Sequence, residues 1–147
     1  MIEFKNVKKT YPNGTEALNG IDLKIDDGEF VFIVGASGAG KSTLTKLLTR
    51  EEKITEGQLT VNEFDLVKMP ERKVPYYRRQ IGVVFQDFRL LPDMTVFENV
   101  AFAMQIIGES KKTIKRRVPT ILNIVGLQDK ANSFPSQLSG GEQQRVA

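Results

Sequence analysis

The chain has 147 residues, of which 40% are hydrophobic and 27% are charged, as is typical of one soluble globular domain of common size. It contains no cysteine and no histidine, which excludes disulfide bonds, thiolate metal sites and the residue that most often serves as a general base. No apolar run approaches the ~20 residues that cross a bilayer. The net charge of +3 suits anionic ligands or an anionic membrane face but is too small to indicate nucleic acid.

Two kinds of strand pattern open the chain. Residues 2–7 alternate apolar and polar side chains, and residues 17–18 and 21–25 predict a second pair of strands. Such alternation is typical of an antiparallel sheet with one solvated face. Residues 30–34 are apolar throughout, which predicts a strand covered on both faces. The fold is therefore predicted to begin with a small antiparallel layer that leads into a parallel core.

A phosphate-binding loop is predicted at residues 35–42, which read Gly-Ala-Ser-Gly-Ala-Gly-Lys-Ser. Glycines let the backbone turn its N–H groups toward a polyphosphate, and the helix predicted to follow adds its free N-terminal N–H groups. Lys41 is placed to reach the β- and γ-phosphates, and Ser42 offers a hydroxyl to Mg²⁺. The predicted nucleotide contacts here are Gly35, Ala36, Ser37, Gly38, Ala39, Gly40, Lys41, Ser42 and Thr43.

Two single residues are further candidates. Tyr11 could stack on a nucleotide base, and the competing interpretation is a tyrosine that caps the end of a strand. Residues 81–85 predict a second buried strand, which ends at Gln86. A polar side chain at the carboxyl end of a core strand can reach a bound Mg²⁺ or an attacking water. The competing interpretation of Gln86 is an ordinary polar residue that opens a loop.

Two helices are predicted after these strands. Residues 95–107 have Thr95 and Glu98 in the positions of a capping box, and their apolar residues nearly encircle the helix, so more than one face should be covered. Residues 110–125 form an amphipathic pattern with Pro119 inside, which should kink or destabilise the helix. Its first half is basic, which indicates either a solvated face or contact with anionic lipid or a partner. The basic residues are Lys111, Lys112, Lys115, Arg116 and Arg117.

The chain ends on Leu-Ser-Gly-Gly-Glu-Gln-Gln-Arg-Val-Ala at residues 138–147, where Ser139 predicts the cap of a helix whose N-terminus faces phosphate. With this segment, the phosphate loop and Gln86 in order, the whole chain resembles the nucleotide-binding subunit of ABC ATPases. The resemblance implies an α/β P-loop NTPase core with an N-terminal antiparallel β layer and a helical subdomain. It divides the chain into residues 1–87, 88–136 and 137–147.

The resemblance also assigns roles and ligands. It implies binding of ATP and Mg²⁺, with Tyr11 stacked on adenine and Ser42 and Gln86 at the metal. Two subunits would sandwich the nucleotides in an ATP-dependent homodimer. The residues that would face the nucleotide of the other subunit are Ser139, Gly140, Gly141 and Gln143.

Residues 82–92 and 135–147 are most similar to the family's cell-division branch, which implies an FtsX-like integral membrane protein as partner and a peripheral place on the cytoplasmic face of the plasma membrane. The ATPase subunits of lipoprotein-release and macrolide-type exporters have similar sequences in these two segments and remain an alternative. The partner is expected to contact Gln86 and the apolar residues that follow it. The competing interpretation is that these apolar residues form the core of the helical subdomain. These residues are Phe88, Leu90, Leu91 and Phe97.

The sequence departs from the family pattern in one respect. The family's second acidic strand, catalytic glutamate and switch histidine have no counterpart here, so no catalytic set is complete. We expect a C-terminally truncated chain that lacks part of the core and hydrolyses little or no ATP. A non-enzymatic nucleotide-binding fragment is the alternative of another class. Soluble family members acting on ribosomes or DNA usually carry two cassettes or long inserted coils, and a small-molecule kinase would lack the segment at 138–142.

Overall fold

The computed structural model describes all residues from Met1 to Ala147, and the chain divides into two compact units, Met1–Ile81 and Gly82–Ala147. Each unit has its own apolar core. None of the helices is both long and apolar enough to span a bilayer.

The first unit contains a four-stranded antiparallel sheet in the order β2-β1-β3-β4, which confirms the predicted antiparallel layer. The two short strands predicted at residues 17–18 and 21–25 are one continuous strand. The strands are β1 (Ile2–Thr10), β2 (Glu16–Ile25), β3 (Glu56–Val61) and β4 (Phe64–Asp65).

A bulge at Asn6 interrupts the alternation of β1. Asn6 has a φ of +45°, its N–H donates to Asp22 Oδ1 at 2.8 Å, and the pairing with β2 shifts between Phe4 and Val7. Phe4, Val7 and Lys9 are therefore the buried residues of the strand, whereas strict alternation from Phe4 would have buried residue 8.

The two strands predicted for the parallel core are not formed. Residues 30–34 and 81–85 have no regular secondary structure and pair with no strand of the sheet. Phe30 and Val34 are 84% and 85% exposed, and Val84 is 67% exposed. A strand of this type is stable only between neighbouring strands and beneath covering layers, and the described residues supply neither.

Two helices complete the first unit, α1 (Lys41–Leu48) directly after the phosphate loop and α2 (Val74–Arg78). Leu44 and Leu47 of α1 are buried against the sheet core. The core of this unit is formed by Phe4, Val7, Leu18, Leu44, Leu47, Leu59, Val61, Leu66, Met69, Val74 and Tyr77.

The second unit is helical, with α3 (Val96–Ile106), α4 (Lys111–Ile124) and α5 (Gly140–Val146). Thr95 and Glu98 form the predicted capping box, and α4 continues through Pro119 rather than ending there. Only one face of α3 is buried, because Phe102, Ile106 and Ile107 are 39–52% exposed, so the prediction of several covered faces is wrong. The core comprises Val96, Ala101, Met104, Ile114, Val118, Leu122, Leu127 and Leu138.

Candidate nucleotide-binding site

The predicted phosphate loop is an exposed turn between the irregular segment 30–34 and α1. Residues 35–39 are all exposed, and the N–H of Ala39 donates to the carbonyl of Ala36 at 3.2 Å. Gly38 and Gly40 have φ values of +82° and +85°, which L side chains rarely adopt. A Cβ at Gly40 would also lie 2.6 Å from the carbonyl oxygen of Ala17, so this glycine lets the loop approach β2.

Backbone N–H groups at the start of α1 are available to a ligand. The N–H of Leu44 donates to Gly40 at 3.0 Å as the first helical bond, so the N–H groups of Lys41, Ser42 and Thr43 have no helical partner. No side chain caps this end. These donors and the positive end of the helix dipole fit an anion.

The Lys41 side chain folds back over the loop. Its ammonium donates to the carbonyls of Gly35 and Ala36 at 2.8 and 2.7 Å. The ammonium thus lies against the same loop whose N–H groups are free. A phosphate group bound there would replace two neutral acceptors with charged oxygens, which form stronger hydrogen bonds with an ammonium.

Tyr11 lies just after the end of β1, beside α1. Its hydroxyl is 3.3 Å from Oγ1 of the buried Thr43, which immediately follows the phosphate-loop serine. The ring is half-buried and the ammonium of Lys9 lies 4.8 Å from its centroid. Sequence reasoning overlooked Lys9, because the bulge that places it on the buried face is not visible in the hydrophobic pattern.

The candidate metal ligands are simple oxygen donors. Ser42 is exposed in the first turn of α1, and Gln86 is exposed in a turn of the second unit. No group of three or more acidic or histidine side chains forms a metal site in the chain. Hydroxyl and amide oxygens suit Mg²⁺, which keeps several waters and takes other ligands from the phosphates it accompanies.

The segment at 138–147 has the predicted helix start. Ser139 Oγ accepts from the N–H of Glu142 at 3.3 Å, and the Glu142 carboxylate accepts from the N–H and hydroxyl of Ser139 at 2.7 and 2.9 Å. These hydrogen bonds, the backbone one above all, lower the pKa of the Glu142 carboxyl. Since Gln143 makes the first helical bond to Ser139, the N–H groups of Gly140 and Gly141 have no helical partner.

Gln143 is engaged within its own unit. Its side-chain amide donates to the carbonyls of Pro135 and Leu138 at 3.0 and 3.2 Å. The amide therefore fixes the turn before α5, while the exposed Ser139, Gly140 and Gly141 form the open surface of the segment.

Residues 18–147 match the family model described as "ABC transporter". The chain belongs to the ABC transporter family. The match includes both the phosphate loop and the 138–147 segment, so a single family accounts for the two helix starts that present free N–H groups.

Individual relatives agree with this family assignment. The cell division ATP-binding protein FtsE of Bacillus subtilis is 60% identical over all 147 residues, and FtsE of Escherichia coli is 49% identical over 99% of the chain. Among solved structures, the dimeric ABC cassette MJ0796 in a post-hydrolysis state bound to ADP and Pi superposes with a TM-score of 0.89 at 38% identity. That match covers 99% of this chain and 66% of the cassette.

The chain spans 64% of the length of the Bacillus subtilis protein and 66% of that of Escherichia coli. Its fold is that of the ABC ATPase, with the antiparallel layer and helical subdomain that the sequence predicted. The irregular segments 30–34 and 81–85 are the parts of the chain that depart from the predicted core.

Proposed function

We propose that this chain is the nucleotide-binding part of an FtsE-like ATPase subunit, which binds ATP with Mg²⁺ and acts in cell division. The observation that carries the proposal is the phosphate loop. Three N–H groups without helical partners lie at the start of α1, directly after an exposed turn, and the Lys41 ammonium lies 2.7–2.8 Å from carbonyls of that turn. Together they provide the hydrogen-bond donors and positive charge that a triphosphate requires.

The proposal assigns a role to each predicted residue of the site. Tyr11 stacks on the adenine, residues 35–43 contact the phosphates, and the hydroxyl of Ser42 ligates Mg²⁺. Ser139, Gly140 and Gly141 offer their donors to the γ-phosphate held by another subunit, because one surface cannot grip a phosphate from both sides. Gln143 supports that surface through its bonds to Pro135 and Leu138. The functional unit is then an ATP-dependent homodimer. Because ATP binding and dimerisation are thermodynamically linked, each strengthens the other.

The partner in this proposal is an FtsX-like integral membrane protein that holds the dimer on the cytoplasmic face of the plasma membrane. Identity of 60% to an FtsE protein supports this branch over the lipoprotein-release or macrolide-type exporters. The partner would contact the surface around Gln86 and Phe88. Leu91 is 36% exposed there, whereas Phe97 packs partly against the core of the second unit and contributes less surface.

We expect the 147 residues alone to hydrolyse almost no ATP. The family's catalytic glutamate and switch histidine have no counterpart among them, and hydrolysis requires groups that orient the attacking water. Turnover at the rate of a full-length FtsE subunit would contradict this part of the proposal.

The test of nucleotide binding compares Lys41→Ala with Lys46→Ala. Both variants remove one lysine from α1, but Lys46 is exposed in the last turn, away from the loop. We expect Lys41→Ala to weaken MgATP binding about 10- to 100-fold, as loss of a charge-assisted hydrogen bond predicts. Lys46→Ala should bind as the parent chain does, and equal affinities of the two variants measured by calorimetry would refute the proposal.

A further inference from the structure

The bulge in β1 determines which lysine lies beside the proposed base-stacking residue. Asn6 adopts φ +45°, and its carbonyl passes so close to Gly57 that a Cβ there would lie 2.3 Å away. The inverted alternation buries Lys9, whose side chain is 9% exposed, while the neighbouring Lys8 side chain is 39% exposed. Strict alternation would have exchanged the two residues.

Lys9 is held from two directions. Its ammonium donates to Glu52 Oε2 at 2.7 Å and to the carbonyl of Lys53 at 2.9 Å, both in the turn that follows α1. Two such bonds fix the position of a side chain that would otherwise sample many rotamers. The ammonium is therefore held in one position beside Glu52 and Lys53.

From that place the ammonium lies over one face of the Tyr11 ring, 4.8 Å from its centroid. This distance is within the range of a cation–π interaction. The Tyr11 hydroxyl is tied separately to Thr43 at 3.3 Å. With the hydroxyl held and the ammonium over one face of the ring, the opposite face is the one left for a ligand.

We propose that Lys9 is a positioning residue, which orients the Tyr11 ring so that it stacks on the base of a bound nucleotide. The inference rests on the proposed function, in which Tyr11 contacts the base. In this role Lys9 acts on the nucleotide only through the Tyr11 ring. Its contribution is therefore confined to the affinity for a nucleoside triphosphate over a bare polyphosphate.

The experiment measures the affinities of the 147-residue chain for MgATP and for magnesium tripolyphosphate, which has the phosphates but no base. We expect Lys9→Met to lower the ratio of the two affinities about 3- to 10-fold, by loss of the cation–π contact that orients the ring. The control is Lys8→Met, which removes the adjacent lysine and its exposed ion pair with Glu56 and should leave the ratio unchanged.

Two further variants keep the test decisive if Lys9→Met does not fold. Glu52→Gln removes the carboxylate that holds the ammonium and should lower the ratio in the same direction by a smaller factor. Lys9→Arg keeps a cation over the ring and should preserve more of the ratio than Lys9→Met does. Unchanged ratios in every folded Lys9 and Glu52 variant would overturn the inference.

Failure of the inference is distinguishable from failure of the proposed function. Tyr11→Ala should lower the ratio about 5- to 100-fold if the ring stacks on the base. If Tyr11→Ala lowers the ratio and the Lys9 variants do not, only the positioning role is wrong. If Tyr11→Ala leaves the ratio unchanged, the base-stacking role is wrong and the inference fails with it.

Discussion

The hydroxyl of Tyr11 lies 3.3 Å from Oγ1 of Thr43. This contact joins the end of β1 to the first turn of α1, two elements separated by more than thirty positions in the chain. The proposed base-stacking ring and the proposed phosphate-binding helix are thereby fixed relative to each other within the first unit.

A double-mutant cycle of Tyr11→Phe and Thr43→Val tests the strength of this contact. Each change keeps the size of the side chain and removes one hydroxyl. We expect each single variant to lower the free energy of unfolding by about 0.5–1.5 kcal/mol, and the double variant to lower it by less than the sum. Urea denaturation measures all three, and strictly additive losses would show that the two hydroxyls do not interact.

Gly38 and Gly40 of the phosphate loop allow backbone strain and steric clash to be measured separately. Both have a left-handed backbone, but a Cβ at Gly40 would lie 2.6 Å from the carbonyl oxygen of Ala17, whereas a Cβ at Gly38 would meet no atom within 4 Å. Gly38→Ala should cost about 1–2 kcal/mol of unfolding free energy through backbone strain alone. Gly40→Ala should cost about 1–3 kcal/mol more, because the clash is with backbone that cannot rotate away.

Thermal and urea unfolding of the two alanine variants measure this difference. Equal losses would mean that the close approach of the loop to Ala17 contributes nothing beyond the φ angle. The comparison uses unfolding rather than ligand binding, since both glycines lie within the proposed phosphate site and either change would disturb a ligand.

The helical unit was predicted from the sequence with small errors, because its signals are local. Thr95 and Ser110 act as caps, and the helices begin one residue after each of them. Pro119 was predicted to lie inside this helix and to kink or destabilise it, and α4 runs through Pro119 with Val118 and Leu122 buried on either side. Burial of those side chains offsets the missing backbone hydrogen bond.

The site was predicted less completely, because part of it depends on non-local structure. The phosphate loop can be recognised from glycine and lysine spacing alone, and residues 35–39 lie exposed ahead of the helix that begins at Lys41. The burial of the Lys9 side chain depends on the bulge at Asn6. That bulge involves contacts of Asn6 with Asp22 and Gly57 on two other strands, which a local sequence pattern does not reveal. The apolar run at 30–34 has a strand-like pattern, but pattern cannot supply the neighbouring strands that would make it one.

We expect ionisation of the buried Tyr77 to lower the stability of the fold at alkaline pH. Its side chain is 1% exposed, it donates to the carbonyl of Leu48 at 2.6 Å, and burial raises its pKa to about 12 from the ordinary value of 10.0. Because the folded pKa is above the unfolded one, the contribution is fully present below pH 10.0 and is lost as the pH rises toward about 12.

The loss should be of order 2 kcal/mol in the free energy of unfolding. Tyr77→Phe cannot ionise, so the difference in stability between this variant and the parent chain should shift by that amount between pH 9 and pH 12. Exposed lysines titrate in both proteins and cancel from the difference. A difference that stays constant over this range would contradict the burial-raised pKa.

The buried side chain of Arg50 connects the turn after α1 to the segment that follows β4. Its guanidinium donates to the carbonyls of Leu66 and Met69 at 2.7 and 3.3 Å, and its side chain is 4% exposed. Arg50→Met keeps the apolar stem but leaves both buried carbonyls without these donors, so we expect a loss of about 2–4 kcal/mol in unfolding free energy. The control Arg79→Met removes an exposed arginine that lies over Tyr76 and should change stability by about 0.5 kcal/mol or less.

The apolar segment at residues 30–34 predicts self-association of the chain. Phe30, Phe32 and Val34 are 78–85% exposed in a run of five β-branched or aromatic residues without charge or proline. Such runs pair with one another edge to edge when no strand of their own chain covers them. We expect the sedimentation coefficient of the purified chain to rise with concentration, and Phe32→Ser to reduce that rise without lowering the free energy of unfolding, because the ring is already in water.

The matched control is Tyr76→Ser, which removes an aromatic side chain that is 63% exposed but lies outside any apolar run. If general surface hydrophobicity drove association, both serine variants would reduce it equally. If the segment drives association, only Phe32→Ser reduces it, since a continuous strand-forming stretch is needed to align backbone hydrogen bonds between two chains. Association that persists unchanged in Phe32→Ser would place the contact elsewhere and leave 30–34 as an inert exposed segment.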